Sequence, residues 1–162
     1  MEGGEVRIIY GCGTGKTTAA IGMGITRIAA GRTVSMVQFL KGNSEQDMLE
    51  VLQRLEPELK VFRFERFEDC YDELDENHRQ EEQINIRNGL NFARKVMSTE
   101  SCDVLILDEV LGIVDEGILT EEELMQIIDS KPDEMELILT GKVLGDGIKR
   151  RADSISRVER EK

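Results

Sequence analysis

The segment Val6-Arg7-Ile8-Ile9-Tyr10-Gly11-Cys12-Gly13-Thr14-Gly15-Lys16-Thr17-Thr18 decides the fold class, because a β-rich apolar run leads directly into a glycine-rich loop. Glycines let backbone N–H groups approach phosphate oxygens closely, a lysine adds positive charge, and a hydroxyl can bind Mg²⁺. The helix-compatible segment 17–30 follows, and its N-terminal dipole favours an anion at the same place. The pattern predicts a strand, a loop and a helix that bind a triphosphate through residues 11–18.

The predicted phosphate loop is one residue shorter than the usual G-x-x-x-x-G-K-[ST] pattern. That pattern would need glycine at position 10, where Tyr10 stands, so the loop reads G-x-x-x-G-K-T. The alternative is a glycine-rich turn that binds nothing. The strand, loop, Lys-Thr-Thr and helix occur together as the motif requires, and they favour a triphosphate site.

Apolar runs alternate with helical patterns along the rest of the chain. We expect strands at 6–10, 34–40, 61–64, 103–108, 137–140 and 154–158. We expect helices over 17–30, from Ser44 to before Pro57, through the face Ile86, Leu90, Ala93 and Met97, and after a capping box of Thr120 and Glu123. The acidic stretch 65–82 reads as mostly solvated surface. Apolar strands separated by helices predict an α/β fold with a mostly parallel sheet and helices on both faces, as one domain over 1–162.

Composition narrows the class of partner. The 162 residues carry 21 Lys+Arg and 33 Asp+Glu, a formal net charge of −12, which disfavours a nucleic-acid partner. The three cysteines are widely spaced and form no CxxC pair, so a disulfide framework or structural zinc site is not expected. The N-terminus does not resemble a signal peptide, and no apolar run approaches the roughly 20 residues that span a bilayer. We therefore expect a cytoplasmic protein with no membrane partner.

Two carboxylates stand where an apolar strand ends, at Asp108 and Glu109. Ligands of parallel α/β sheets bind at the carboxyl ends of the strands, and Mg²⁺ on a triphosphate needs hard oxygen ligands there. An ordinary polar strand terminus is the alternative. Lys41 and Lys142 also follow strands, where each either reaches a polyphosphate or is simply solvated.

The chain carries no obvious machinery for ordinary hydrolysis. Its single histidine, His78, lies in the acidic stretch and is expected at the surface, so a Ser-His-Asp set is not available. Glu109 is a candidate base for an ATPase, which keeps hydrolysis open as a second hypothesis.

The short loop with Ala19-Ala20, then Gln38-Phe39-Leu40-Lys41-Gly42, then Leu107-Asp108-Glu109, forms a recognisable series. It resembles the ATP:corrinoid adenosyltransferases. The likeness continues through the segments 117–119, 121–128, 131–132, 139–141 and 152–153, and so covers nearly the whole chain.

The resemblance implies a RecA-like fold and transfer of the 5′-deoxyadenosyl group of ATP to Co(I) of a corrinoid, with triphosphate released. It implies that Gly11 to Thr18 hold the triphosphate, that Thr17 with Asp108 or Glu109 holds Mg²⁺, and that Lys16 stabilises the departing charge. The predicted catalytic residues are thus Lys16 and, as the candidate base named above, Glu109. The predicted ligands are ATP, Mg²⁺ and a corrinoid. An electron-donating reductase and a homodimer are further partners that the family suggests.

The resemblance also places Glu65 and Phe67 on the corrinoid side, with a core aromatic as the alternative for Phe67. This chain departs from the family pattern at four positions, where a lysine, an arginine, a tryptophan and an arginine are usual: Thr14, Thr26, Asp69 and Lys142. These departures touch the predicted site more than the fold. A P-loop ATPase or small-molecule kinase, and a catalytically weakened nucleotide- or corrinoid-binding paralogue, are therefore the alternatives to an active adenosyltransferase.

Overall fold

A computed structural model describes residues 3–42 and 45–162. Its strands are β1 (Val6–Tyr10), β2 (Val34–Gln38), β3 (Leu59–Arg63), β4 (Val104–Asp108), β5 (Glu136–Gly141) and β6 (Ser154–Arg157). The described residues form one six-stranded sheet in the order β3-β2-β4-β5-β1-β6, with every neighbouring pair parallel. The α/β fold with a parallel sheet is therefore confirmed, and all carboxyl ends of the strands meet at one edge.

Helices cover both faces of the sheet. They are α1 (Lys16–Ala29), α2 (Gln46–Leu52), α3 (Glu76–Thr99), α4 (Val110–Asp115), α5 (Glu121–Asp129) and α6 (Asp146–Lys149). Alternate residues of the strands face opposite ways, so Leu105 and Leu107 pack on the side of α3, whereas Val104 and Ile106 pack on the side of α1. Both faces of the sheet are thus buried, which explains why its central strands are apolar throughout.

The helix patterns are largely confirmed. The four-residue face that predicted the long helix is fully buried in α3, and Thr120 caps α5 by accepting the N–H of Glu123 at 3.1 Å. Ser44, the predicted start of the second helix, lies outside the described residues. The short helices α4 and α6 were not predicted, since four to six residues give too little periodicity to detect.

The acidic stretch departs from the expectation of a solvated surface at its two ends. Glu82 is buried, where its carboxylate accepts hydrogen bonds from the Arg66 N–H at 3.0 Å and the Asn85 amide at 2.7 Å. Glu65 is half-buried, and α3 already begins at Glu76 within this stretch. The surface expectation is wrong at these positions because backbone and amide donors satisfy the carboxylates inside the fold. Across residues 3–42 and 45–162, no helix combines the length and the apolarity needed to cross a membrane.

Candidate functional site

The loop between β1 and α1 depends on glycine at its first and last positions. Gly11 has a φ of +126° and Gly15 a φ of +99°, a region that other residues rarely adopt. A Cβ at position 11 would also lie 2.2 Å from the carbonyl oxygen of Val158, so the loop packs directly against the chain after β6. These two glycines let the loop turn sharply into the N-terminus of α1.

Not every amide of the loop is available to a ligand. The Gly11 N–H donates to the Gly141 carbonyl at 3.1 Å, and the Gly13 N–H donates to the Val158 carbonyl at 2.9 Å. Fewer backbone amides of residues 11–18 can therefore bind a polyphosphate than the sequence predicted, because two of them already have protein partners. The amides of 14–18, which lead into the first turn of α1, are the better candidates.

Lys16 is the first residue of α1 and is buried, with 7% of its surface exposed. Its Nζ donates to the Gly13 carbonyl at 2.7 Å, so the ammonium folds back over the loop. The geometry places the charge beside the amides on which a phosphate would bind. Cys12 and Thr14, on the same loop, are exposed.

Asp108, at the end of β4, is the centre of a buried polar cluster. Its carboxylate accepts hydrogen bonds from the hydroxyls of Thr17 at 3.0 and 3.1 Å and Thr140 at 2.7 Å, and from the Gln38 amide at 3.3 Å. The Lys41 ammonium lies 3.1 Å from the same carboxylate. The structure thus joins the loop residue Thr17 to Asp108, as the predicted metal pair requires.

The order of the strands explains how this cluster forms. β2 and β4 are neighbours, and Gln38 is paired with Asp108 across them. Thr140 comes from β5, which lies between β4 and the loop-bearing strand β1. Gln38 is itself held by the Arg63 guanidinium, whose Nε donates to the Gln38 side-chain oxygen at 2.7 Å. The contributions of Gln38, Arg63 and Thr140 were not predicted, because strand order is not visible in local sequence.

Lys41 reaches this cluster, whereas Lys142 lies further out. The Lys41 side chain is 11% exposed, and its Nζ lies 3.0 Å from the Thr17 hydroxyl and 3.4 Å from the Glu45 carboxylate. Of its two open readings, contact with the predicted phosphate site is therefore the better supported. Lys142 is exposed.

Glu109 follows Asp108 in a left-handed conformation, with a φ of +64°, and precedes α4. Its N–H donates to the Thr140 hydroxyl at 2.8 Å, which compensates for a backbone conformation that costs energy in a residue with a side chain. Burial and the neighbouring charge of Asp108 raise the pKa of Glu109, and the charges of Lys41, Lys16 and Lys142 offset this only in part. Glu109 is therefore a better proton acceptor than an exposed carboxylate.

One cavity of about 400 Å³ lies near the amino ends of β2 and β4, away from the polar cluster, whereas another lies beside Glu109, next to the cluster. The Glu109 cavity has a volume of about 340 Å³. It is lined by Leu40, Cys70, Tyr71, Asp72, Glu109, Gly112, Asp115, Glu116, Lys142 and Val143. Tyr71 is fixed there, because its hydroxyl accepts a hydrogen bond from the Gln83 amide at 2.7 Å.

The structure does not bring Glu65 and Phe67 to the lining of the Glu109 cavity. The Glu65 carboxylate accepts the N–H groups of Leu40 and Gly42, so it holds the segment that follows β2. Burial raises the pKa of Glu65 although these backbone hydrogen bonds act to lower it. The Phe67 ring packs on His78, which is exposed as predicted, with ring centroids 4.6 Å apart. Contact of either residue with a corrinoid stays a prediction.

Mg²⁺ fits the donor set of the cluster. In the described part of the chain, His, Cys, Asp and Glu form no group of three or more that would enclose a metal ion. Mg²⁺ on a nucleotide needs no such cage, because phosphates and water complete its coordination around one or two protein oxygens. Thr17 and Asp108 offer a hydroxyl and a carboxylate, and the ammonium of Lys41 already lies between them as a stand-in cation. Glu109 is adjacent in sequence, but its hydrogen bond to this cluster is made by its backbone N–H, which donates to the Thr140 hydroxyl.

A family model described as "ATP:corrinoid adenosyltransferase BtuR/CobO/CobP" matches residues 2–162. The chain belongs to this family. It is 29% identical over 158 residues to a corrinoid adenosyltransferase of Escherichia coli, covering 96% of this chain and 76% of that relative. With corrinoid adenosyltransferase CobA of Salmonella typhimurium the identity is 26% over the same shares.

A solved structure, the flagellar accessory protein FlaH from Methanocaldococcus jannaschii, superposes with a TM-score of 0.64 at 16% identity. The match covers 98% of this chain and 73% of FlaH, and at this identity it bears on the fold alone. It confirms the RecA-like α/β architecture that the adenosyltransferase resemblance implied.

One departure from the adenosyltransferase pattern now has a structural account. Thr26 stands where the family usually has arginine, and its hydroxyl donates to the Met23 carbonyl at 2.6 Å. The adjacent Arg27 has a different role from an arginine at position 26. It lies in the last turn of α1 and forms two hydrogen bonds with Glu136, at the amino end of β5.

Proposed function

We propose that this protein transfers the 5′-deoxyadenosyl group of ATP to the cobalt of a corrinoid and releases triphosphate. One observation carries the proposal most directly. The hydroxyl of Thr17, at the end of the glycine-rich loop, is hydrogen-bonded to the buried carboxylate of Asp108. This pair lies at the carboxyl edge of the sheet with the Glu109 cavity beside it, in a chain that belongs to the corrinoid adenosyltransferase family.

The nucleotide half of the site would bind the triphosphate through the amides of 14–18 and the N-terminus of α1. We expect Lys16 to exchange its bond with the Gly13 carbonyl for a phosphate oxygen. Thr17 and Asp108 would hold Mg²⁺, which when bound draws negative charge from the triphosphate. Lys16 adds a second positive charge to the same leaving group, where a preorganised cation is most effective.

The transfer step needs no general base. The substrate cobalt, as Co(I), brings the electron pair that forms the cobalt–carbon bond to C5′ of ATP. The C5′–oxygen bond breaks and its electron pair leaves with the triphosphate, so cobalt becomes Co(III) and no proton moves. A one-electron reductant must first convert Co(II) to Co(I), which is the role we assign to a separate reductase. The protein therefore has to position two substrates and stabilise the leaving charge.

The Glu109 cavity is the proposed approach for the corrinoid. Tyr71 supplies an aromatic ring to its lining, and the hydrogen bond from Gln83 holds that ring in place. Tyr71 is thus our candidate for the aromatic ring that the family usually supplies as tryptophan at the position of Asp69, and the corrinoid contact of Phe67 stays a prediction. Lys142 lines the same cavity, and we expect it to face the substrates rather than remain purely solvated.

One observation favours ATP hydrolysis as a second function. Glu109 carries a raised pKa next to the proposed Mg²⁺ ligands, which suits a carboxylate that accepts a proton from water. The two reactions give different inorganic products, because adenosyl transfer releases triphosphate whereas hydrolysis releases ADP and phosphate. A protein that only carries nucleotide or corrinoid would release neither.

The test is incubation with ATP, Mg²⁺ and chemically reduced cobalamin, followed by the visible spectrum and by analysis of the inorganic product. A cobalt–carbon spectrum with one triphosphate per adenosyl group supports the proposal. ADP and phosphate without that spectrum would assign a hydrolase, and calorimetric binding of either ligand without product would assign a carrier. Lys95→Ala, an exposed lysine on α3, is the matched control for variants of the site.

A further inference from the structure

We propose that Lys41 is an internal counter-ion that fills the Mg²⁺ position of the nucleotide-free protein, so that the metal enters efficiently only together with nucleotide. This inference rests on the proposed Mg²⁺–ATP site. It assigns Lys41 as a positioning residue that couples metal binding to nucleotide binding.

The contacts of the Lys41 ammonium are with the same oxygens that the metal would use. Its Nζ lies 3.0 Å from the Thr17 hydroxyl and 3.1 Å from the Asp108 carboxylate, with the Glu45 carboxylate 3.4 Å away. Thr17 and the other hydroxyl and amide partners approach Asp108 with neutral groups, whereas Lys41 brings a positive charge. The ammonium therefore compensates the fully buried carboxylate when no metal is bound.

A bound Mg²⁺ and this position of Lys41 exclude one another. Mg²⁺ ligands lie about 2.0–2.1 Å from the ion, so an ion on Thr17 and Asp108 would occupy the volume now held by the Nζ. Its double charge would also repel the ammonium at short range. A metal that binds alone must displace Lys41 from two oxygens, and the ammonium then gains no new anionic partner from the metal.

Nucleotide changes this balance, because a triphosphate beside the loop offers oxygens to the displaced ammonium. Each ligand then makes the other bind more tightly, and the coupling is reciprocal by linkage. The removal of the Lys41 charge should therefore strengthen metal binding in the absence of nucleotide and weaken the coupling between the two ligands.

The backbone on both sides of Lys41 is fixed, so a movement would be confined to its side chain. Glu65 accepts the N–H groups of Leu40 and Gly42, the two residues that flank Lys41. Gly42 has a φ of +54°, and a Cβ there would lie 2.7 Å from the Glu68 carbonyl oxygen. This gives Glu65 a structural role: it holds the segment from which Lys41 reaches the metal position.

The test is a titration of the full chain with Mn²⁺, a paramagnetic substitute for Mg²⁺, followed by electron paramagnetic resonance of the free ion. It compares the natural protein, Lys41→Met and the control Lys95→Met, each with and without a non-hydrolysable ATP analogue. Without nucleotide, we expect Lys41→Met to bind Mn²⁺ roughly tenfold more tightly than the other two proteins, because the variant lacks one positive charge that competes with the metal. The analogue should enhance Mn²⁺ binding less in this variant by a similar factor.

Lys41→Arg keeps the positive charge and should retain the weak nucleotide-free binding of the natural protein, whereas Lys41→Gln should behave like Lys41→Met. Circular dichroism of each variant checks the fold, and Lys41→Gln replaces Lys41→Met if the latter unfolds. Equal nucleotide-free Mn²⁺ affinity in the natural protein and both neutral variants overturns the role of Lys41 and leaves the proposed function intact. If the analogue fails to enhance Mn²⁺ binding in the natural protein, the proposed Mg²⁺–ATP site itself is overturned.

Discussion

Two buried carboxylates on neighbouring strands lie at opposite ends of the sheet and are compensated in different ways. Glu136, at the amino end of β5, receives two hydrogen bonds from Arg27, at 2.6 and 2.9 Å, and one from Arg7 at 2.8 Å. Asp108, at the carboxyl end of β4, accepts hydrogen bonds from neutral donors and pairs directly with the ammonium of Lys41, with the Arg63 guanidinium one step away on Gln38. Both side chains are almost completely withdrawn from solvent.

This difference in partners suggests different roles: Glu136 belongs to a structural ion cluster, whereas Asp108 can exchange its lysine partner for another cation. Arginine forks hold a carboxylate in fixed geometry, which suits a structural ion cluster at the amino end of β5. A lysine ammonium is a point charge on a flexible chain, and a metal ion or a phosphate can take its place. Asp108 therefore has the kind of environment expected of a binding site, and Glu136 does not.

The largest expected effect is that of Lys16→Ala. Without its charge, the proposed leaving group loses stabilisation, and we expect nucleotide affinity to fall and adenosyl transfer to drop by about 10³-fold or more. Kinetics with reduced cobalamin and calorimetry with ATP measure the two effects, with Lys95→Ala as the control. Kinetics equal to those of the control would remove the phosphate-loop assignment.

Asp108→Asn should come next. The change keeps the size of the side chain but removes the negative charge that the proposed Mg²⁺ ligand supplies, so Mg²⁺-dependent ATP affinity should fall about 100-fold. Calorimetry with and without Mg²⁺ measures this. Binding without Mg²⁺ should change far less, and an equal loss under both conditions would mean that Asp108 only supports the fold.

Lys16 and Asp108 also show which parts of the candidate site can be predicted from the sequence. The loop was predictable because its glycines, Lys16 and Thr17 lie within eight positions, and Asp108 because an apolar strand ends there. The roles of Gln38 and Thr140 were not predictable, since they come from β2 and β5, and only the strand order places them on either side of β4. Local pattern thus predicts the candidate ligand-binding groups but not the residues that support them.

On the proposed corrinoid side, local sequence pattern predicted much less than it did at the phosphate loop. Glu65 and Phe67 were assigned to the corrinoid side by resemblance, and that assignment stays a prediction. In the structure Glu65 holds the backbone around Lys41, and Phe67 packs on His78. Tyr71, which lines the Glu109 cavity, lies in a short 3₁₀ segment whose position depends on tertiary contacts such as its hydrogen bond with Gln83. No periodicity in the sequence indicates which ring of this stretch faces a cavity.

At the other end of the sheet, Glu136→Gln should affect stability and leave the site intact. The variant leaves Arg7 and Arg27 without their shared anion in a largely buried setting, and we expect the free energy of unfolding to fall by about 2 kcal/mol. Chemical denaturation measures this, with the exposed neighbour Glu134→Gln as control. ATP affinity should stay unchanged, and a parallel loss of ATP affinity would contradict the division between the two clusters.

The same cluster predicts a pH dependence of stability. Burial acts to raise the pKa of Glu136, but the hydrogen bonds and charges of Arg27 and Arg7 outweigh it and hold the pKa below its ordinary value of 4.5. The stabilisation is therefore complete above that value and is lost as the pH falls through the lower pKa of the folded state. The difference in unfolding free energy between the natural protein and Glu136→Gln should be constant from neutral pH down to about pH 5 and shrink below it. A difference that instead grows on acidification would mean that the ionised form of Glu136 is not the stabilising one.

The smallest expected effect is that of Thr14→Lys, which tests whether position 14 of the phosphate loop faces the nucleotide. Thr14 is exposed on the loop, and the family usually has lysine there. An added exposed charge near a polyphosphate should raise ATP affinity severalfold at low salt, and the gain should shrink as salt screens it. Thr18→Lys, an exposed position in the first turn of α1, tests whether the placement of the charge matters. If Thr14→Lys leaves affinity flat or lowers it, position 14 does not face the nucleotide. The absent lysine would then have no bearing on how this chain holds triphosphate.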